Sequence, residues 1–202
     1  MSLFNQAISA VVQLALFTLI PFIWYIVCNK KCFGFFQWIG LKKPTVFDRT
    51  LLKFVVFTIA VFSVTSVGIL YSLRGVGTAT GTFSGMGIAG LPYAIIYAFI
   101  TTALSEEILF RGFLLKRLSS KFGFPIGNIV QSILFGLLHG AMFCSLINSA
   151  KVVLITAFTG LIAWCMGYAN EKKADGSIIP SWTIHGIANL FSAFISMFGI
   201  IT

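Results

Sequence analysis

The chain has 202 residues, of which 58% are hydrophobic and only 9% charged, and its formal net charge is +9. A soluble domain carries about a quarter charged residues, so this composition cannot cover a water-facing surface and excludes an ordinary soluble enzyme or binding module. The positive charge does not mark a nucleic-acid binder either, because the lysines and arginines fall between apolar runs, in the manner of membrane topology, rather than on one basic face.

Apolar runs of about 18 or more residues are long enough to cross a bilayer as helices, and six are expected, with edges open by a few residues. In chain order they run from about Gln6 to Cys28, Leu52 to Tyr71, Leu91 to Leu115, Pro125 to Phe143, Val152 to Ala169 and Ile178 to Ile201. The fold class expected is all-α, a polytopic transmembrane helical bundle. The fourth run is short for a span and suits a tilted helix or a thinned bilayer. The opening stretch "MSLFNQAISAVVQLALF" lacks a basic segment before its apolar run, so it reads as a retained span and not as a cleaved signal. Cys28, Cys32, Cys144 and Cys165 show no CxxC spacing, and neither a disulfide framework nor a thiolate metal site is implied. No internal repeat is evident, which weighs against an inverted-repeat transporter.

The connections between spans set the orientation. Lys30, Lys31, Lys42, Lys43, Arg49 and Lys53 follow span one, Lys116, Arg117 and Lys121 follow span three, and Lys172 and Lys173 follow span five; the opposite side holds only Arg74 and Lys151. Basic loops stay in the cytoplasm, so both termini are expected outside, in a multi-pass protein of a bacterial plasma membrane. The outer segment "GVGTATGTFSGMGIAG" (75–90) reads as a flexible loop or as a gate or surface-lying segment. The cytoplasmic stretch "CFGFFQWIGLKKP" (32–44) mixes aromatics with lysines and suits an amphipathic segment in the headgroup region.

Few ionisable residues then remain inside the spans: Glu106, Glu107 and Arg111 on span three, His139 on span four and His185 on span six. The two glutamates are among only five acidic residues, and the two histidines are the only ones in the chain. Such groups cost at least a few kcal/mol each in a bilayer and face a cavity or a partner. At about 1.5 Å per residue, Glu106 lies about 14 Å from the cytoplasmic end of its span, His185 about 11 Å, Asn189 about 17 Å and His139 about 21 Å. All four fall in the middle zone of a hydrocarbon core of about 30 Å. Glu107 and Arg111 stand at i and i+4 and can form an ion pair, as can neighbours His185 and Asn189 share one pocket and Phe135 wall the imidazole of His139. Glu106, turned about 100° from Glu107, is left free.

A carboxylate and two imidazoles around a water make a general-base site. The histidines can hold a divalent metal with an oxygen ligand and water, or they can hydrogen-bond the water and the oxyanion directly. In either case Glu106 takes the proton of the attacking water, and Asn189 polarises the scissile carbonyl or stabilises the oxyanion. The same spacings also fit an ion-paired core that specifies helix packing, or a proton or ion pathway.

The motifs "EEILFR" (Glu106, Glu107, Arg111), "FGLLH" (Phe135, His139) and "HGIAN" (His185, Asn189) resemble the EExxxR, FxxxH and HxxxN motifs of the CPBP intramembrane proteases, the CAAX protease and bacteriocin-processing (Abi) family. The likeness lies in residues 91–202, a four-span catalytic core, with residues 1–90 as a two-span N-terminal region carrying the basic connection. It implies a catalytic cavity within the bilayer, Glu106 as the base, His139 and His185 as ligands of water or of zinc or another divalent metal, and Asn189 as the oxyanion donor. It implies an intramembrane endopeptidase acting on a membrane-associated peptide or protein, in peptide or bacteriocin maturation or in self-immunity. The bilayer and that substrate are the expected partners, and nucleic acid is not. A non-catalytic membrane scaffold or immunity protein, and a proton- or ion-coupled transporter, are the alternatives. At this length the chain is shorter than the eukaryotic prenyl-protein enzymes, which sets a CaaX substrate apart from the rest of the resemblance.

Overall fold

In hydrocarbon every backbone N–H and C=O must be bonded within its own segment, which leaves helices as the way to cross. In the computed structural model, which describes residues 2–28, 34–45 and 48–201, the apolar runs fold as α1 (Leu3–Cys28), the short α2 (Phe35–Trp38), α3 (Arg49–Ser72), α4 (Gly87–Phe122), α5 (Phe124–Ala141), α6 (Ser149–Lys173) and α7 (Ile179–Met197). No strand occurs among the described residues. Lys30, Lys31 and Cys32, read above into the first connection, lie outside them.

Helix starts follow local chemistry. The Asp48 carboxylate accepts the Leu51 N–H at 2.8 Å and begins α3, and that hydrogen bond holds its carboxyl below the usual carboxylate range. Asn148 does the same for Lys151 N–H at 3.0 Å and begins α6. Pro125 and Pro180 occupy the first turns of α5 and α7, where a missing N–H costs nothing.

Five helices, α1, α3, α4, α5 and α6, are long and apolar enough to cross a membrane. Their outer faces reverse the pattern of a soluble protein: Phe4, Val11 and Val27 on α1, Phe57 and Val64 on α3 and Val153 on α6 are exposed, as lipid contact requires. The protein is an integral, multi-pass helical bundle. The sixth expected span is a 19-residue helix, α7, but it does not rank with those five. Its polar side chains, Ser181, His185 and Asn189 among them, dilute its apolarity because it is packed between α3, α4 and α6 and not wrapped in lipid.

The helix ends gather into two layers. At one end Lys116 Nζ donates to Glu171 Oε1 and to Gly176 O, both at 2.8 Å, Ile178 N–H donates to Gly40 O at 2.8 Å, and Lys42 pairs with Asp175 at 3.2 Å. The connections after α1, α4 and α6, the basic ones, therefore lie together. Gly40 has φ +81°, and a Cβ there would stand 2.3 Å from Gly176 O, so this junction accepts only glycine. At the other end Lys151 Nζ bonds Ser72 O, and the 75–90 segment forms two 3₁₀ turns whose Phe83 packs with Ala94, Ala193 and Met197. That segment is fixed on the bundle as a surface-lying element and not a free loop. The 34–44 stretch also docks: Phe35, Trp38 and Leu41 pack with Leu14 and Ile108 around buried Ile39.

Helices α5 and α6 approach most closely through glycines, since backbone contact replaces the hydrophobic effect inside a membrane. A Cβ on Gly136 would lie 2.4 Å from the Thr156 carbonyl oxygen, an immovable backbone atom. Gly136→Ala should therefore push the two helices apart and lower stability by about 1–3 kcal/mol, read as a fall in the thermal unfolding temperature in detergent. Gly140→Ala meets the Thr156 side-chain hydroxyl instead, which can rotate, and should cost less in the same assay.

Candidate active site

The site is built where α4, α5 and α7 meet. On α4 the regular helix widens into π turns over Ile96–Leu104 and Ile108–Leu115, leaving Ser105–Glu107 as a single α turn between them. The hydroxyls of Thr101, Thr102 and Ser105 donate to carbonyls five residues back, at Ile96 (3.3 Å), Tyr97 (3.0 Å) and Ile100 (3.3 Å), and so support the widened turns. Such turns recur at functional sites because they re-aim side chains.

Both adjacent glutamates reach His185. Glu107 Oε1 accepts from Arg111 Nη1 at 2.9 Å, with both side chains fully buried, and the same oxygen meets His185 Nδ1 at 2.9 Å. The i, i+4 ion pair expected from the spacing is present, but Glu107 does more than pair with Arg111: it also grips the imidazole. An ionised carboxylate only accepts, so Nδ1 of His185 carries a proton, and in the neutral imidazole Nε2 presents its lone pair. His139 Nδ1 lies 2.9 Å from the Phe135 carbonyl, an acceptor as well, so His139 is held in the same tautomer. Both histidines thus have Nε2 free for a ligand or a water.

Glu106 comes to the other side of His185, its Oε2 standing 3.7 Å from Nε2. That oxygen is buried and has no hydrogen-bond partner among the described residues. Two acceptors at 3.7 Å are beyond a direct hydrogen bond, and the spacing is one that a water donating a hydrogen to each can bridge.

Phe135 is the hub of the packing. Its ring lies 4.3 Å from that of His139 and 5.9 Å, edge-on, from that of His185, while the Arg111 guanidinium sits 4.3 Å above it. A cation over an aromatic face is stabilised by the ring quadrupole, which helps to keep Arg111 charged in an apolar setting. Asn189 Nδ2 donates to Thr102 Oγ1 at 2.7 Å, and Thr102 in turn donates to backbone carbonyls of α4. One amide hydrogen of Asn189 is left for another acceptor. Phe135, His139, His185 and Asn189 all line one cavity of about 200 Å³; Glu106 approaches it through His185.

Three supports escaped the sequence reading. Thr102 braces Asn189, and its i, i+4 relation to Glu106 was the available signal. Asn170 clamps the first turn of α7, donating to Ser181 Oγ at 2.7 Å and accepting Ser181 N–H at 3.1 Å. Trp182 Nε1 donates to Phe99 O at 2.7 Å and ties α7 to α4.

A catalytic zinc takes three protein ligands. Among the described residues no three His, Cys, Asp or Glu side chains group as a metal site, so His139 and His185 supply two imidazole donors without a third ligand. The two imidazoles alone do not make up a three-ligand zinc site.

Compared with known proteins, residues 88–191 match the family model described as Type II CAAX prenyl endopeptidase Rce1-like. No curated protein and no solved structure matches.

Proposed function

We propose, from the premise that this chain belongs to the Type II CAAX prenyl endopeptidase Rce1-like family, that it hydrolyses a peptide bond of a membrane-associated peptide or protein with a water activated by Glu106. The family is one of intramembrane endopeptidases, and the observation that carries the finer reading is the facing pair Glu106 Oε2 and His185 Nε2, 3.7 Å apart. In this reading a water gives one hydrogen to Glu106 and the other to an imidazole Nε2, so that its oxygen lone pair faces the scissile carbonyl. Glu106 takes the water proton as the C–O bond forms. The free amide hydrogen of Asn189 meets the developing oxyanion. The C–N bond then breaks, the leaving amine receives the proton from Glu106, and the carboxylate is restored. His185 keeps its position through Glu107, as histidines are oriented by a carboxylate behind them. Maturation of a small membrane-associated peptide such as a bacteriocin, or self-immunity against one, is the role proposed for this chemistry.

Asn189→Ala tests the oxyanion assignment. It should lower the processing rate by about 10²–10³-fold with little change in KM. Thr102→Val removes the brace but leaves the donor, and should cost less. Equal losses from both variants, or none from Asn189→Ala, would contradict the role given to the amide.

A further inference from the structure

The catalytic cavity has a direction. It is walled by positions 62–73 along α3 and its exit, 135–143 along α5 and its exit, 155–166 on α6 and 185–192 on α7. α3 and α7 reach the basic connections at their N-terminal ends, α5 at its N-terminal end and α6 at its C-terminal end. On α3 and α5, therefore, the walls run from mid-helix to the end that carries few charges, while on α6 and α7 they occupy the middle of the helix. Nothing from the first turns of α3, α5 or α7, or from the last turn of α6, takes part.

Towards the basic end the cavity has a packed floor, and the cleft of about 440 Å³ beside Asp48 and Glu171 shares no lining residue with it. Phe62, Ile162, Met166 and Ile184 pack together as a buried cluster, and beyond them lie the Asn170–Ser181 clamp, the Lys116–Glu171–Gly176 bridge and the Ile178–Gly40 bond. The opposite end is open in stages. A second cleft, of about 320 Å³, shares Leu70 and Leu73 with the catalytic cavity and is bordered by Arg74, Thr78 and Ser196. At the junction Thr80 and Ser192 hydroxyls lie 3.2 Å apart, so the 75–90 segment borders the way in.

Lysines and arginines mark the cytoplasmic side. We infer that the site is loaded from the extracytoplasmic side, and that its substrate is a peptide presented in the outer leaflet with apolar residues flanking the scissile bond, not a chain end offered from the cytoplasm. The inner walls are aliphatic and aromatic, with hydroxyls only at Ser66, Thr159 and Ser192 and the amide and imidazoles at the reacting end; they suit an extended apolar segment and give no counter-charge to an acidic or basic side chain. The inference rests on the endopeptidase reading for what fills the cavity, but the direction of access is measurable without catalysis.

The test replaces the four native cysteines with alanine and introduces Ser192→Cys or Ser66→Cys in the cavity, with Leu146→Cys and Lys172→Cys as references at the two ends. Each is exposed to a charged, membrane-impermeant methanethiosulfonate in right-side-out and inside-out vesicles. Both cavity variants should react at least tenfold faster in right-side-out vesicles, following Leu146→Cys, while Lys172→Cys shows the opposite preference. Cavity variants that react faster in inside-out vesicles, or in neither, overturn the inference, and two positions guard against one substitution failing to fold. If Glu106→Gln abolishes processing while the cavity labels from the cytoplasmic face, the protease reading stands and this inference falls. If labelling is extracytoplasmic while Glu106→Gln still processes, the reverse holds.

Discussion

Glu106→Gln should cut peptide processing by about 10²–10⁴-fold, the range that a positioned general base supplies, and should do so without weakening the fold. The substitution keeps the side-chain volume, and Glu106 Oε2 has no hydrogen-bond partner among the described residues to lose. A partly buried carboxylate with no paired cation is costly, so its replacement by a neutral amide should leave the thermal unfolding temperature equal to wild type or above it. Loss of activity with retained or improved stability is the signature of a group kept for chemistry. Rate and unfolding temperature, measured on the same reconstituted preparation, check both halves. A scaffold or an ion-paired structural core would give the opposite result, with processing or phenotype intact.

Arg111→Met should be among the most destabilising substitutions in the protein, at about 3–5 kcal/mol, because it strands the Glu107 charge in a site from which water is excluded. Both partners are fully buried and joined at 2.9 Å, and Phe135 loses the cation over its ring. The double variant Glu107→Gln/Arg111→Met removes both charges, and most of the unfolding temperature should return. Activity should not return with it, since His185 then leans on a neutral amide in place of a carboxylate. A double variant as unstable as the single one would mean that shape, not charge, governs this pair.

The site was legible in the sequence because its background is so plain. With two histidines and five acidic residues in 202, every ionisable group inside a span stood out, and the i, i+4 spacings placed Glu107 with Arg111 and Phe135 against His139, as the structure has them. The relation between the two glutamates was less accessible. A regular helix would separate their directions, whereas His185 presents a different nitrogen to each and collects both. The π turns of α4 depend on where the Thr101, Thr102 and Ser105 hydroxyls bond, which a 3.6-residue periodicity does not record. The edges of α4 and α6 extend beyond the apolar runs, to Phe122 and Lys173, because helix continues past the point where hydropathy ends. The polar character of α7 is explained only by its neighbours: it can carry serine, histidine and asparagine because three helices surround it.

The pairing of the basic connections at one end of the bundle was also open to sequence reasoning, through charge alone. The bonds that join them were not, since Ile178 N–H to Gly40 O spans 138 positions and involves no side chain. The same is true of the glycine contacts between α5 and α6, where the absence of a Cβ at Gly136 lets the Thr156 carbonyl approach.

The most direct test compares wild type with Glu106→Gln in the native host, reading the membrane-associated and secreted small peptides of both strains by mass spectrometry. The account predicts at least one peptide shortened only in the wild type, with its uncut precursor accumulating in the variant and apolar residues flanking the cut. Identical peptide profiles, with the variant present at normal abundance and unfolding temperature, would contradict a glutamate-dependent peptidase.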